Sequence, residues 1–185
     1  TSGQDVDYGP VVTAAAKDNI LNLVQTGVDQ GATLVVDGRD FSLQGYEDGF
    51  FVGPHLFDNV TPNMDIYTKE IFGPVLCTVR AGNYEEALGL AMDHEYGNGT
   101  AIFTRDGDAA RDFANRINIG MVGINVPIPV PLAYHTFGGW KKAVFGDLNQ
   151  HGPDAFKFYT RTKTVTARWP SGIKQGGEFN FKAMD

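Results

Sequence analysis

Apolar residues recur at helical spacing after Thr13: Ile20, Leu21, Val24 and Val28 share one face, Thr13 can cap the start and Gly31 can end the run. The β-branched stretch Ala32-Thr33-Leu34-Val35-Val36 follows with almost no loop and closes on Asp37-Gly38, so a helix passes directly into a strand. Between Asp37 and Phe57, Gly38, Gly45, Gly49 and Gly53 interleave with Phe41, Tyr46, Phe50 and Phe51, which predicts a loop and then strands near Phe50–Val52 and Leu56–Val60. Lys69-Glu70-Ile71-Phe72-Gly73-Pro74 reads as a rigid turn delivering the strand Val75–Val79. Asn83 then precedes Glu86 by three positions, a helix start, and the helix is expected to run to about Asp93. After the break at Tyr96-Gly97-Asn98-Gly99 come a strand over Thr100–Thr104, a helix capped by Asp106 and running through Ile117, and a strand over Gly120–Ile124. This alternation predicts the α/β class, a mostly parallel sheet with crossover helices.

The pattern changes after residue 125. Pro127, Pro129 and Pro131 remove every second backbone donor, so Val126–Pro131 is expected to be extended and cannot be a central strand. Gly138-Gly139 lets the backbone approach something bulky, and Gly152-Pro153-Asp154 predicts a turn into a short helix through Phe158. Tyr159–Trp169 alternates Thr160, Thr162, Thr164 and Thr166 against Arg161, Lys163, Val165 and Ala167, which predicts a strand. With no hairpin partner beside it, such a strand docks on the sheet's own edge or pairs with another subunit, and the second is preferred. The tail from Ser171 is glycine-rich and expected to be loosely held.

Length and charge narrow the function classes. A chain of 185 residues fits one domain, or one with an appendage, and buries roughly two-thirds of its unfolded surface without staples. Fifteen basic against 22 acidic residues give a net charge of −7 with no like-charge block, which argues against nucleic acid or an anionic membrane as the main partner. One cysteine makes no internal disulfide and no zinc pair, which fits a reducing compartment. Neither a spanning apolar run nor a signal-peptide pattern is present in these residues, so the expected location is the cytoplasm, or the mitochondrial matrix in a eukaryote.

The chemical inventory is thin. Gly97-Asn98-Gly99 precedes a strand, whereas a phosphate-cradling loop follows one and opens a helix. Ser2, Ser42 and Ser171 sit in loop or tail sequence, and His55, His94, His135 and His151 lack metal-ligand spacing, so no metal site is expected. His135, near the glycine pair and the proline run, is the histidine best placed to line a ligand cavity. Cys77 lies within the apolar run Val75–Val79, where burial makes it a core residue and a poor nucleophile. Glu70 reads either as a solvated loop charge beside a core Phe72 or as a binding carboxylate on a turn.

Gly49-Phe50-Phe51-Val52-Gly53-Pro54, Glu70-Ile71-Phe72-Gly73-Pro74, Tyr96-Gly97, Gly123-Ile124-Asn125, Phe137-Gly138-Gly139-Trp140-Lys141 and Tyr159-Thr160 with Lys163 occur in this order. Together they resemble the C-terminal part of the aldehyde dehydrogenase superfamily over about Tyr8 to Pro170. Two departures, Lys142-Ala143-Val144-Phe145-Gly146-Asp147 after the glycine motif and the Asn125–Pro131 run, resemble its methylmalonate-semialdehyde dehydrogenase branch, which releases product onto coenzyme A.

This resemblance implies a division into a catalytic-domain portion at residues 1–156, an oligomerisation arm at 157–170 and a flexible tail at 171–185. It implies that Glu70 accepts hydrogen bonds from the nicotinamide ribose hydroxyls of NAD, that Phe72 packs beside that ribose, and that Phe137 lies near the substrate entrance. The Tyr159–Trp169 strand corresponds to the arm that joins subunits into a homo-oligomer, a dimer or tetramer. The family's catalytic cysteine, general base and phosphate loop would lie upstream of Thr1, so no catalytic residue is expected in this chain and Cys77 matches no catalytic position. Coenzyme A would act as co-substrate in oxidising methylmalonate or malonate semialdehyde. The alternatives are a hydrolytic aldehyde dehydrogenase and a non-catalytic binding or assembly module.

Overall fold

The computed structural model describes residues 7–169. Helix α1 (Ala14–Asp29) starts where Thr13 turns its hydroxyl oxygen to accept from the Ala16 N–H at 3.1 Å, and it ends where Gly31 takes φ +95°, a left-handed conformation open to glycine without strain. Its buried face is Ile20, Leu23, Val24 and Gly27. Gly27 is there because of close approach: a Cβ on it would stand 2.8 Å from the Ile66 side chain. Strand β1 (Thr33–Val36) pairs antiparallel with β2 (His55–Asp58), and β2 pairs in parallel with β3 (Val75–Cys77). The short helix α2 (Asp65–Thr68) brings Ile66 under α1, and Val24, Ala32, Phe57, Val60, Met64 and Ile66 form a core with Phe57 fully enclosed.

A second core forms between α3 (Tyr84–Asp93) and α4 (Gly107–Arg116), where Leu88 and Phe113 meet Ile117 and Ile119. Asn83 accepts from the Glu86 N–H and Asp106 from the Asp108 and Ala109 N–H groups, so both helices start at the residues the spacing predicts. Strand β4 (Tyr96–Gly97) pairs antiparallel with β7 (Trp140–Lys141), and β5 (Gly99–Ile102) pairs in parallel with β6 (Met121–Ile124). Asn125, at φ +57°, fixes the end of the β5–β6 pair by accepting from the Thr104 N–H and donating to the Thr104 carbonyl.

The residues cluster into two compact units. Among the described residues, one comprises Asp7 to Val130 with Gly138–Phe145, and the other comprises Pro131–Phe137 with Gly146 to Trp169. Within the second unit a 3₁₀ turn (Gly152–Asp154) leads into α5 (Ala155–Tyr159). Gly152, at φ +66°, donates to the Ala133 carbonyl, and a Cβ there would stand 2.2 Å from the Thr136 nitrogen.

The α/β class holds, with parallel pairing in β2–β3 and β5–β6, and among the described residues the strands are distributed over a mixed three-stranded sheet and two separate pairs. Helical spacing and strand alternation specify elements, while which strands pair is decided by non-local contacts. Phe50–Val52 is not a strand: Phe50 accepts from the Val11 N–H across the chain, and Val52 is buried as a loop residue. Tyr159 ends α5, and Thr160–Trp169 forms no ladder with the described residues, so the segment does not dock on the edge of the chain's own sheets, one of the two arrangements expected for it. The tail from Ser171 lies outside the described residues.

Candidate functional site

The turn between α2 and β3 is held from three sides. Lys69 leaves the helix in extended conformation while its N–H donates to the Asp65 carbonyl and its Nζ pairs with Asp65 Oδ2 at 2.9 Å. Gly73 sits against α1 so closely that a Cβ would lie 2.6 Å from Ile20 Cδ1. Pro74 passes its carbonyl to the His55 N–H at 2.9 Å, which joins the turn to β2. Between these anchors Phe72 takes φ +54°, a conformation that costs a residue with a Cβ about 1 kcal/mol or more.

The same geometry turns Phe72 outward. Its side chain is 80 % exposed, which overturns the reading of Phe72 as a core side chain. Glu70 is exposed as well, and its carboxylate has no hydrogen bond or ion pair among the described residues. The neighbouring cation does not neutralise it, because Lys69 is committed to Asp65. An ionised carboxylate in this position keeps both oxygens for a ligand that offers two hydroxyl donors.

Glu70 borders a cavity of about 790 Å³ that is also lined by Tyr67, Lys69, His94, Glu95 and Lys142. Lys142 pairs with Glu95 at 2.5 Å, and this pairing raises the Lys142 ammonium above its ordinary pKa. Tyr67 donates its hydroxyl to the Leu90 carbonyl at 3.1 Å, and burial pushes that phenol above its usual range. His94 Nδ1 accepts from the Tyr96 N–H at 3.2 Å, so the ring proton belongs on Nε2, which faces the Tyr67 carbonyl at 3.5 Å.

The remaining candidates separate. Phe137 belongs to the second unit, where it stacks on His151 with ring centroids 4.6 Å apart and planes 6° from parallel. His135 packs against Tyr134 at 4.5 Å. Cys77 donates weakly to the Ile66 carbonyl, and burial raises its thiol pKa, so it is held as a neutral structural group. Among the described residues no group of three or more His, Cys, Asp or Glu side chains is placed to hold a metal ion, and no helix is long and apolar enough to cross a membrane.

Sequence reasoning missed Tyr67, His94, Glu95 and Lys142 as neighbours of Glu70. Helix α2 is four residues long, too short for any period to show, and Lys142 reaches the cavity only through the β4–β7 pairing.

Residues 1–165, which include this turn, match the model of the aldehyde dehydrogenase family. The chain belongs to that family. It is 57 % identical over 180 residues to a malonate-semialdehyde dehydrogenase of Pseudomonas aeruginosa, covering 97 % of this chain and 36 % of the relative. It is 49 % identical over 168 residues to the acylating, mitochondrial methylmalonate-semialdehyde dehydrogenase of Arabidopsis thaliana, covering 91 % of this chain and 28 % of the relative. Among solved structures, a Sinorhizobium meliloti protein assigned as a methylmalonate-semialdehyde dehydrogenase and complexed with NAD superposes with a TM-score of 0.86 at 72 % identity, over 93 % of this chain and 35 % of that one. The chain thus spans about a third of the length of the relatives it matches.

Proposed function

We propose that these residues work as the C-terminal portion of an NAD-dependent, coenzyme-A-acylating methylmalonate- or malonate-semialdehyde dehydrogenase. The observation that carries this reading is the Glu70 carboxylate, exposed at a cavity rim on a turn held from three sides, with no internal partner among the described residues. In it, Glu70 takes the two ribose hydroxyls of NAD in charge-assisted hydrogen bonds. Phe72, held outward by its backbone, would pack beside that ribose. Phe137 lies near the substrate entrance. Bound NAD would supply the hydride acceptor for oxidation of the semialdehyde. The thiolate that attacks the aldehyde is not Cys77, which is held neutral on the β3 strand, and is assigned to the roughly two-thirds of the relatives' length that this chain does not match. The 185 residues alone are therefore expected not to turn over. Homo-oligomers form through Tyr159–Trp169, whose exposed Tyr159, Val165 and Trp169 suit a protein interface. The working location is the cytoplasm or the mitochondrial matrix.

Glu70→Gln in the complete polypeptide tests the reading. Loss of charge from a hydrogen-bonded carboxylate is expected to weaken NAD binding about 10- to 100-fold, measured by isothermal titration calorimetry, with the thermal midpoint unchanged because Glu70 has no internal partner. An unchanged NAD affinity returns Glu70 to a solvated loop charge. Product analysis with and without coenzyme A separates acylation from hydrolysis: acyl-coenzyme A is expected, and free acid as the sole product overturns that part.

A further inference from the structure

The last turn of α3 ends in carbonyls that no helical N–H can reach, and its own sequence supplies no basic residue there. Two other elements satisfy them. Lys141 of β7 extends its ammonium to the Met92 carbonyl at 2.7 Å and to the His94 carbonyl at 3.0 Å. Tyr67 of α2 donates its hydroxyl to the Leu90 carbonyl at 3.1 Å. A positive charge at a helix C-terminus also meets the negative end of the helix dipole, so Lys141 is suited to this position electrostatically as well as by reach.

Lys141 holds this place at φ +54°, an unfavourable backbone for a residue with a Cβ, so its local preference is overridden by what its side chain and strand pairing secure. The junction then continues to the candidate site. His94 follows the helix end directly, and its ring lies 5.4 Å from the Tyr67 ring, with Nε2 toward the Tyr67 carbonyl. Tyr67 is three residues before Glu70. Both polar ends of Tyr67, its hydroxyl and its carbonyl, thus face groups of the segment that Lys141 holds. A further link, Lys142 to Glu95, closes the same junction one residue on at each side.

From this continuous set of contacts we propose that Lys141 and Tyr67 are positioning residues for Glu70: Lys141 fixes the C-terminal end of α3, and Tyr67 transmits that placement to the turn that carries the carboxylate. The inference rests on the reading of Glu70 as the ribose-binding group. It goes beyond that reading by assigning a role to the glycine-motif lysine, which does not line the cavity itself. Lys141 touches no ligand in this scheme, and its effect reaches the cofactor only through where Glu70 stands.

The experiment measures NAD dissociation constants by isothermal titration calorimetry on the complete polypeptide, together with thermal midpoints, for Lys141→Met, Lys141→Arg, Tyr67→Phe, Glu70→Gln and the Lys141→Met/Glu70→Gln pair. Lys141→Met is expected to raise the dissociation constant about 3- to 10-fold, in line with misplacing one charge-assisted contact. Lys141→Arg keeps the cation and is expected to restore most of the affinity. Tyr67→Phe shifts it in the same direction as Lys141→Met by less. In the Glu70→Gln background Lys141→Met is expected to add nothing, since the group it positions is already impaired. A Lys141→Met protein with a lowered midpoint and unchanged NAD affinity overturns the proposal, because the lysine then only caps the helix. Additive effects of the two substitutions also overturn it, because Lys141 would then act independently of Glu70. If Glu70→Gln alone leaves affinity unchanged, the ribose-binding reading itself fails, which is a separate result from failure of the lysine arm. If Lys141→Met does not fold, Tyr67→Phe decides: it removes one hydroxyl from the same junction, and an unchanged affinity counts against the proposal.

Discussion

Around Phe57, side chains from α1, β2 and α2 close on one another until the ring is fully enclosed, whereas in Pro131–Phe137 and from Gly146 to Trp169 the large apolar side chains Leu132, Tyr134, Phe156, Tyr159, Val165 and Trp169 all stand in solvent. Both regions are rich in apolar residues, so composition does not distinguish them. What distinguishes them is whether a second layer lies over the apolar face. The first region has α1 and α2 to cover its strands; in the second, α5 is five residues long and has no buried side chain. Burial of apolar surface is the main source of stability, so the first region contributes most of what the chain itself can supply. The second keeps its apolar surface for something outside it, in keeping with the proposed role in subunit association.

The largest break expected in this contrast comes from truncating one phenylalanine in each region. Phe57→Ala should cost about 3–5 kcal/mol in urea denaturation, since the cavity lies within a closed core. Phe156→Ala, on a side chain 81 % exposed, should stay within about 0.5 kcal/mol of the parent. If the association role of Tyr159–Trp169 is right, Trp169→Ala, at a residue 88 % exposed, lowers the oligomeric order seen by sedimentation. Equal destabilisation by the two phenylalanine substitutions would erase the contrast.

Gly152→Ala sharpens it next. Backbone fit, not side-chain burial, holds the second unit together at Gly152, and a Cβ would collide with Thr136 while φ is positive. A cost of about 1–3 kcal/mol is expected there, visible as faster amide exchange over residues 131–137 with the Phe57 core still protected.

A smaller effect concerns pH. His55 is 3 % exposed, neither ring nitrogen has a hydrogen-bond partner, and burial lowers its pKa below the ordinary 6.5. Nearby Asp37 is held at about 2 mainly by its hydrogen bonds to Arg39, so it is ionised throughout the acid range in question. A lowered folded-state pKa means that the unfolded chain binds the proton more readily. The stability linked to His55 is therefore complete above 6.5 and falls as pH drops from there through the lowered value. Urea midpoints measured across this range should slope downward toward acid in the parent and less steeply in His55→Leu. Least of all should change with Cys77→Ala. Activity of the complete polypeptide should persist and thiol labelling of Cys77 at neutral pH should be slow, because its pKa is raised by burial; loss of turnover would make Cys77 a participant after all.

Much of this was legible in the residues. The starts of α1, α3 and α4 are marked by Thr13, Asn83 and Asp106, and each accepts from the backbone as its spacing predicts. Strands β1, β3, β5 and β6 fall within or beside their apolar runs. Glu70 and Phe72 stood out in the turn motif, but from the residues alone Phe72 could equally have filled the core. The division into three sheets, the four-residue α2, the β4–β7 pairing and the reach of Lys141 to the end of α3 left no comparable signal.

Sequence by itself determined the longer helices α1, α3 and α4 with their caps, the breaks at glycine and proline, and the motifs that mark the family, because each depends on neighbours a few residues away or on a short string of residue types. Tertiary structure decided which strands pair, that Phe72 faces outward, that His55 is buried without hydrogen-bond partners, and that Tyr67, His94 and Lys142 gather beside Glu70. Those outcomes depend on contacts between residues tens of positions apart, where packing space and backbone pairing override local preference; Lys141, held at φ +54° against its own preference, shows that override within a single residue.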